Sequence, residues 1–373
     1  MKDAITSYVG LDVHTNSICI AEAPAGQEVP HFIGTVSAHI GPLLKSLRNL
    51  GSPNAIQVVY EAGPNGYALA RELRAHGYQC DVIAPNKLVR MPGDRIKTDR
   101  RDAIALARLA RSGALVKVPV PDDRDEAIRD LCRAREDAVR GRQKARQQLK
   151  ALLLRHGHRY SGKTSWTAAH ERYLSGLTLP HPAQYIAFTE YRQAVAEGNE
   201  RVARLTDALR IQVDGWRLKP LVTAIMTLRG IDFVAAVTLC SEVIDFARFA
   251  HPKSLMNFLG LVPSEYSTGD HRRQGPITRT GNGHARRILI EAAWNYRFTP
   301  RISRSLQLRQ EGQPKVVRDI SWSAQQRLSK RYVKMTARKV NPNKICVAIA
   351  RELTGFVWSI ARQVTMQSAK EHA

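Results

Sequence analysis

Two short runs rich in β-branched and apolar residues, SYVGLDVH (Ser7 to His14) and SICIAEAP (Ser17 to Pro24), are separated only by Thr15 and Asn16. A two-residue polar gap between such runs reads as a hairpin. The segment beyond this hairpin constrains the fold most, because strand and helix signals alternate along it as far as Gly113. HFIGTV offers a third strand, Ala38 to Asn49 a helix, and AIQVVYE (Ala55 to Glu61) a buried-type strand. NGYALARELRAHG reads as a helix ending at Gly77, and YQCDVIAP as a strand stopped by Pro85. A last helix begins after Thr98. Strands laid down first as a meander and then alternating with helices make an α/β domain with a mixed sheet.

At 373 residues the chain is too long for one compact domain. VKVPVPDD (Val116 to Asp123) is a proline-marked joint, and Asp125 to Gly157 reads as one long helix. Ile128, Leu131, Ala138, Ala145, Leu149 and Leu152 form a thin coiled-coil-like seam, interrupted by Arg135 and Arg142. Val139 to Tyr160 carries seven Lys or Arg and no acid. Alone that is a solvated face; in a basic chain, a nucleic-acid-facing helix is an equal reading. A second helical stretch, Ala183 to Val213, can return antiparallel to the first. A third unit starts near Trp216. In it, LRGIDFVAAVTLCSEV is read either as an ordinary αα-hairpin, favoured for the segment alone, or as a helix-hairpin-helix holding backbone phosphate. Phe258 to Trp294 has a Gly-rich, polar, basic loop at its centre and a helix opening near His284, and the chain is helical and basic from Arg301. The expected boundaries fall after residues 118, 215 and 300.

The formal charge is +24, from 57 Lys and Arg against 33 Asp and Glu. Such an excess along a chain calls for a polyanionic partner, most simply nucleic acid. A membrane surface is the other polyanion, but no apolar run approaches spanning length and no charged-then-apolar leader opens the chain. Cys19, Cys80, Cys132, Cys240 and Cys346 stand alone, without metal or redox spacing, and read as buried thiols of a cytosolic protein without structural zinc.

Asp99 and Asp102, three apart, project from one helix face with Cβ atoms about 5–6 Å apart. Carboxylates that close repel unless a cation lies between them or one is protonated. Asp12 and Glu61 end strands, where functional groups of α/β sheets gather. Four carboxylates converging from two strands and a helix would hold two Mg²⁺ roughly 3.5–4 Å apart, the arrangement for phosphoryl transfer. Each acid also has a plain reading: a strand-ending turn for Asp12, a loop carboxylate for Glu61, a helix cap for Asp99.

YVGLDVH, VVYEAGPNGY and RIKTDRRDA resemble the N-terminal segments of the DEDD insertion-sequence transposases, the "one-ten" family, which includes the pilin-gene invertases. GLVPSEYSTGDHRRQGPITRTGNGHARR resembles their C-terminal transposase segment, and AIARELTGFVWSIA the tail of one branch. The likeness spans nearly the whole chain in family order. It implies an RNase H-like (RuvC-like) domain over residues 1–118 with Asp12, Glu61, Asp99 and Asp102 as its metal-binding quartet. Residues 119–215 would be the long-helix, coiled-coil region, 216–300 the transposase domain and 301–373 a basic helical extension. It implies recombination of element-end and target DNA by a homodimer or homotetramer, guided by a bridge RNA, in the bacterial cytoplasm at the nucleoid.

SEYSTGDHRRQG offers Ser264, Ser267 and Thr268 as hydroxyls. Beside Gly and followed by His271, Arg272 and Arg273, one of them could attack a phosphodiester while cations hold the charge; alone, a Ser there is a turn residue. The resemblance places a nucleophilic serine in this segment, forming a phosphoserine link to DNA. Ser267 is the assigned residue, although Thr268 occupies a slot where many relatives carry a second Ser. Arg279 stands where relatives usually have Lys. Residues expected to face nucleic acid are Arg140, Arg142, Lys144, Arg146, Lys150, Arg272, Arg273, Arg279, Arg286 and Arg287. Three functions compete: a recombinase using metal and serine, a RuvC-like nuclease using water, and a non-catalytic binder of DNA or RNA. GLDVH also faintly resembles the first phosphate loop of sugar-kinase and actin-like ATPases, but no second Gly-rich loop accompanies it.

Overall fold

Ile18 and Ile20 alternate with Cys19 and Ala21 along one short run, and that alternation decides how the first unit is built. The computed structural model describes residues 4–84, 98–268 and 271–371. Strand β1 (Ser7–Val13) pairs antiparallel with β2 (Ser17–Pro24), which pairs antiparallel with β3 (His31–Ser37). After helix α1 (Ile40–Arg48), β4 (Ile56–Glu61) runs parallel to β1. After α2 (Ala68–Ala75), β5 (Gln79–Ile83) runs parallel to β4. Helix α3 (Asp99–Arg111) and the short β6 (Lys117–Val118), antiparallel to β5, complete the unit. The six strands lie in the order β3-β2-β1-β4-β5-β6, the mixed sheet expected from the sequence. Pro85, the expected stop after β5, lies outside the described residues.

Each sheet face takes half of the alternation. Val9, Leu11, Ile18, Ile20, Val58 and Tyr60 are buried with Leu43 and Leu47 of α1 and Leu73 of α2. Each such side chain contributes about 1.5–3 kcal/mol by leaving water. The other face is made of small groups: Cys19, Ala21 and Ala23 meet Ala103 and Ala107 of α3. Close approach replaces bulk here. A Cβ on Gly10 would stand 2.3 Å from the Ala103 carbonyl oxygen and 2.5 Å from the Ala107 nitrogen. Helix α3 therefore rests directly on the bare backbone of β1. Thr98 caps its start by accepting from the Arg101 amide. At its far end, Arg111 donates to the carbonyls of Pro24, Gly26 and Glu28 at 3.0, 3.1 and 2.7 Å.

The second unit begins at Asp123. Helices α4 (Asp123–Arg155) and α6 (Pro182–Asp214), of 33 residues each, lie antiparallel, with the short α5 (Ala168–Ser175) between them in sequence. The expected seam is buried at Ile128, Ala138, Ala145, Leu149 and Leu152. The two arginines that break its pattern are accommodated rather than expelled: Arg135 donates to Thr206 of α6 at 2.7 Å, and Arg142 packs its stem against Gly198. Asp125, fully buried, accepts from the Trp216 indole at 2.8 Å and from Arg217.

Beyond Trp216 come α7 (Lys219–Ile225), α8 (Phe233–Val243) and α9 (Pro252–Phe258). Just after α7 the Thr227 carbonyl accepts from Ser321 and Gln310, which ties this segment to two later helices. The polar stretch read as a loop is instead a β-hairpin, β7 (Pro263–Thr268) with β8 (His271–Ile277). Its residues from Glu265 to Thr268 are all exposed, so no apolar alternation marked it in the sequence. Helices α10 (Gly283–Ala293), α11 (Arg304–Gln310), α12 (Lys315–Ala337) and α13 (Pro342–Glu371) complete the unit.

Adding a methyl group at Gly10 must lift α3 from the sheet, because the atoms it meets are backbone. Gly10→Ala is expected to lower unfolding stability by about 1–3 kcal/mol, the usual cost of overpacking. Urea denaturation at neutral pH measures it, and an unchanged midpoint contradicts this seating of the helix.

Candidate active site: an acidic centre and a serine hairpin

Asp12 follows Gly10 on the same face of β1, and Glu61 follows Val59 on the same face of β4. Gly10 touches α3, and Val59 packs against Leu106 of α3, so both carboxylates project on the α3 side. The parallel register pairs Leu11 with Tyr60, which puts Asp12 and Glu61 level at neighbouring strand ends. The loop after Glu61 is tied down by Asn65, which donates to the Val13 carbonyl at 2.8 Å, and by the Tyr60 hydroxyl, which donates to the Gly66 carbonyl at 3.0 Å. Asp99 and Asp102 occupy the first turn of α3, where the helix dipole favours acids.

His14, two residues beyond Asp12, completes the centre. Its Nε2 lies 3.3 Å from an Asp12 carboxylate oxygen and 3.4 Å from one of Asp99. The donor atoms of Asp12, His14 and Asp99 all lie within 4.8 Å of one another. Burial pushes the Asp12 carboxyl above the ordinary carboxylate range; His14 draws it back, and the charges of Asp99 and Asp102 push it up further. Three acids thus load one another with negative charge, and hard oxygen donors of this kind suit a divalent cation. The sequence reading missed His14, although its i+2 spacing from Asp12 on a strand was the available signal.

Ser267 lies in the other unit, on β7, opposite Arg272 in the hairpin register. Its hydroxyl donates to Glu265 at 3.0 Å. The Gln274 amide, directly across the hairpin from Glu265, donates to the second carboxylate oxygen at 3.3 Å. The Ser264 hydroxyl is turned to the Pro276 carbonyl at 3.1 Å. The hairpin returns into a tight junction: Gly281 has φ +75°, and a Cβ there would stand 1.9 Å from the Phe258 carbonyl oxygen.

The basic residues divide by partner. Lys144, Lys150, Arg273 and Arg279 are exposed, and the Arg272 side chain lies outside the described part. Arg146 and Lys150 sit over the Trp166 ring at 4.8 and 5.7 Å, Arg146 beside a cavity of about 460 Å³ that Arg192 also lines. Arg286 donates to the carbonyls of Leu259 and Thr280 at 2.9 and 3.1 Å, holding the end of α9 to the start of α10. Arg140, Arg287 and His284 converge on Glu136 of α4. Glu242, nearly fully buried, takes the Arg133 fork at 2.8 and 2.9 Å and the Asn282 amide at 2.6 Å.

Comparison with known proteins fixes the class. Residues 9–157 match the Transposase family DEDD_Tnp_IS110, and residues 222–307 match the Transposase IS116/IS110/IS902 family. A putative transposase of Sinorhizobium fredii, y4qE, is 43% identical over 97% of this chain and 90% of its own length. The transposase for insertion sequence element IS1533 of Leptospira borgpetersenii is 30% identical over 87% of this chain and 95% of its own length. The molecule is thus an enzyme that cuts and rejoins DNA. It belongs to the IS110/IS116 family of insertion-sequence transposases, as the sequence resemblance implied.

The Glu136 knot can be read by pH. Burial alone would raise this carboxyl, but the His284 hydrogen bond and the Arg287 charge overcome it and hold it at about 2. A carboxyl held below its free value of 4.5 adds stability that is complete above about pH 4.5 and fades as pH falls towards 2. Glu136→Gln is therefore expected to melt below the parent at pH 7, with the gap closing between pH 4.5 and 2. Parallel thermal melts across that window check it; a gap independent of pH overturns it.

Proposed function

We propose that this transposase works through two groups of side chains, one on each unit. Asp12, Glu61, Asp99 and Asp102 hold divalent metal, taken as two Mg²⁺. Ser267 attacks the scissile phosphodiester and carries the DNA as a phosphoserine ester until the strand is rejoined. The observation that carries the first half is the gathering of Asp12 and Asp99 around His14, with Asp102 adding to their mutual repulsion. An RNase H-like (RuvC-like) assignment for residues 1–118 is supported by the strand order and by acids at adjacent strand ends. Bound metal there would polarise the phosphodiester and stabilise charge on the departing oxygen.

The second half rests on the exposed Ser267 hydroxyl and on the family resemblance of its segment. In this reading, residues 119–215 form the coiled-coil region, 216–300 the serine-bearing transposase domain and 301–373 a basic extension. DNA at the element ends and target, and a bridge RNA from the element, are the polyanions that the +24 charge attracts. Lys144, Lys150, Arg273 and Arg279, which reach solvent, are the first contacts expected. A homodimer or homotetramer joined through the α4–α6 hairpin lets the acidic centre of one copy meet the serine of another.

Three outcomes test this. Asp102→Asn should abolish strand transfer on element-end DNA while leaving the circular dichroism spectrum unchanged, and chelation of divalent metal should do the same to the parent until Mg²⁺ is restored. Recombination by Asp102→Asn at the parental rate removes the metal site. Affinity for DNA and RNA should fall steeply between about 50 and 200 mM salt, by about 10³-fold or more if six phosphates are contacted; a flat response shows that the charge does not meet backbone. Ser267→Ala should bind nucleic acid normally yet leave no protease-sensitive DNA adduct on a denaturing gel. A cleavage reaction that never forms such an adduct replaces the serine with water.

A further inference from the structure

We infer that Glu265 is the general base that takes the proton from the Ser267 hydroxyl, with Gln274 holding it in place. The inference rests on the reading of Ser267 as nucleophile and adds to it the group that makes a serine competent. A hydroxyl at its own pKa is a weak nucleophile and needs an adjacent base, itself oriented by a third group. The hairpin supplies that sequence of contacts. Residues two apart on a strand share a face, so Glu265 and Ser267 project together from β7. The Ser267 hydroxyl donates to one Glu265 oxygen at 3.0 Å, and Gln274 of β8 donates to the other at 3.3 Å. The cross-strand pairing of Glu265 with Gln274 fixes both ends of the chain of contacts to one sheet register.

The same geometry chooses among the three hydroxyls of the segment. Ser264 donates to the Pro276 carbonyl, and a peptide carbonyl cannot take up the proton. Thr268 comes directly after Ser267 on the strand and so projects to the opposite face, away from Glu265. Among the described residues, Ser267 is the hydroxyl of this segment that meets a carboxylate.

The step balances without an added reagent other than water. The Ser267 oxygen bonds to phosphorus as its proton passes to the Glu265 carboxylate. The bond from phosphorus to one bridging sugar oxygen breaks, and that oxygen leaves as a hydroxyl after taking a proton from water. One phosphate diester replaces another, so nothing is oxidised or reduced. In the rejoining step a sugar hydroxyl attacks the phosphoserine, its proton passing back to solvent hydroxide as water, and the proton on Glu265 returns to the departing serine oxygen.

The test compares three variants of the full chain on labelled element-end DNA: Ser267→Ala, Glu265→Gln and Glu265→Asp. Glu265 is exposed on the hairpin, so each variant should keep the parental melting temperature and nucleic-acid affinity. Glu265→Gln, which keeps the hydrogen bond but cannot take the proton, should form the covalent adduct roughly 10²–10⁴-fold more slowly, the usual contribution of a general base. Glu265→Asp should recover a measurable part of that loss, because the carboxylate is retained. Adduct formation by Glu265→Gln within a few-fold of the parent overturns the inference. So does equal loss in the Gln and Asp variants, which marks a packing role. Persistence of the adduct in Ser267→Ala is a different failure: it removes the nucleophile assignment itself, whatever the Glu265 variants do.

Discussion

The bare backbone of β1 at Gly10 is the contact on which the acidic centre depends. Packed layers usually stand apart by the length of their side chains, about 10 Å for ordinary residues. Here glycine and alanines remove that spacing, and α3 comes down until its own backbone meets the strand. The first turn of α3 then delivers Asp99 to the end of β1, where Asp12 and His14 lie. Arg111 anchors the far end of the helix to the carbonyls of Pro24, Gly26 and Glu28, and Thr98 caps its start. The mutual repulsion of the acids is tolerated because α3 is held to the sheet further along, where Ala103, Leu106, Ala107 and Ala110 are buried against β1, β2 and β4.

Much of this was written in plain view. The β2 alternation of Ile18 and Ile20 with Cys19 and Ala21 marked the two faces of the sheet, and Thr98 next to Asp99 marked the start of α3. The long helices were legible because their apolar spacing runs on for many turns. The serine hairpin was not, since a two-stranded ribbon exposed from Glu265 to Thr268 has no buried face to impose a period on the sequence. His14 escaped for another reason: an acidic quartet directs attention to carboxylates, and the histidine becomes visible only when the pleat of β1 is followed past its end.

The excess of positive charge is likewise not uniform in its uses. Arg133, Arg286 and Arg287 commit their donors to carboxylates and carbonyls inside the second unit, and Glu136 and Glu242 are the acids around which they gather. Sequence alone cannot tell which cations are engaged by an acid or a carbonyl, because paired and exposed ones follow one another along the same helices. Arg140 reaches solvent yet is tied to Glu136, and Lys144, one turn further on, is likewise exposed. A count of cations therefore overstates the surface offered to phosphate.

The paired helices α4 and α6 also act as a ruler. At 33 residues each, they form a rod about 50 Å long at 1.5 Å per residue, the length of about 15 base pairs of duplex. A helix turns by about 100° with every residue added, so inserting one would rotate everything beyond it while lengthening the rod only slightly. Insertions of about seven residues, matched in both helices, nearly restore the facing and change the reach by roughly 10 Å. Lengths of this rod in related chains should thus come in steps, and each step would set a different spacing along whatever polymer the rod lies against.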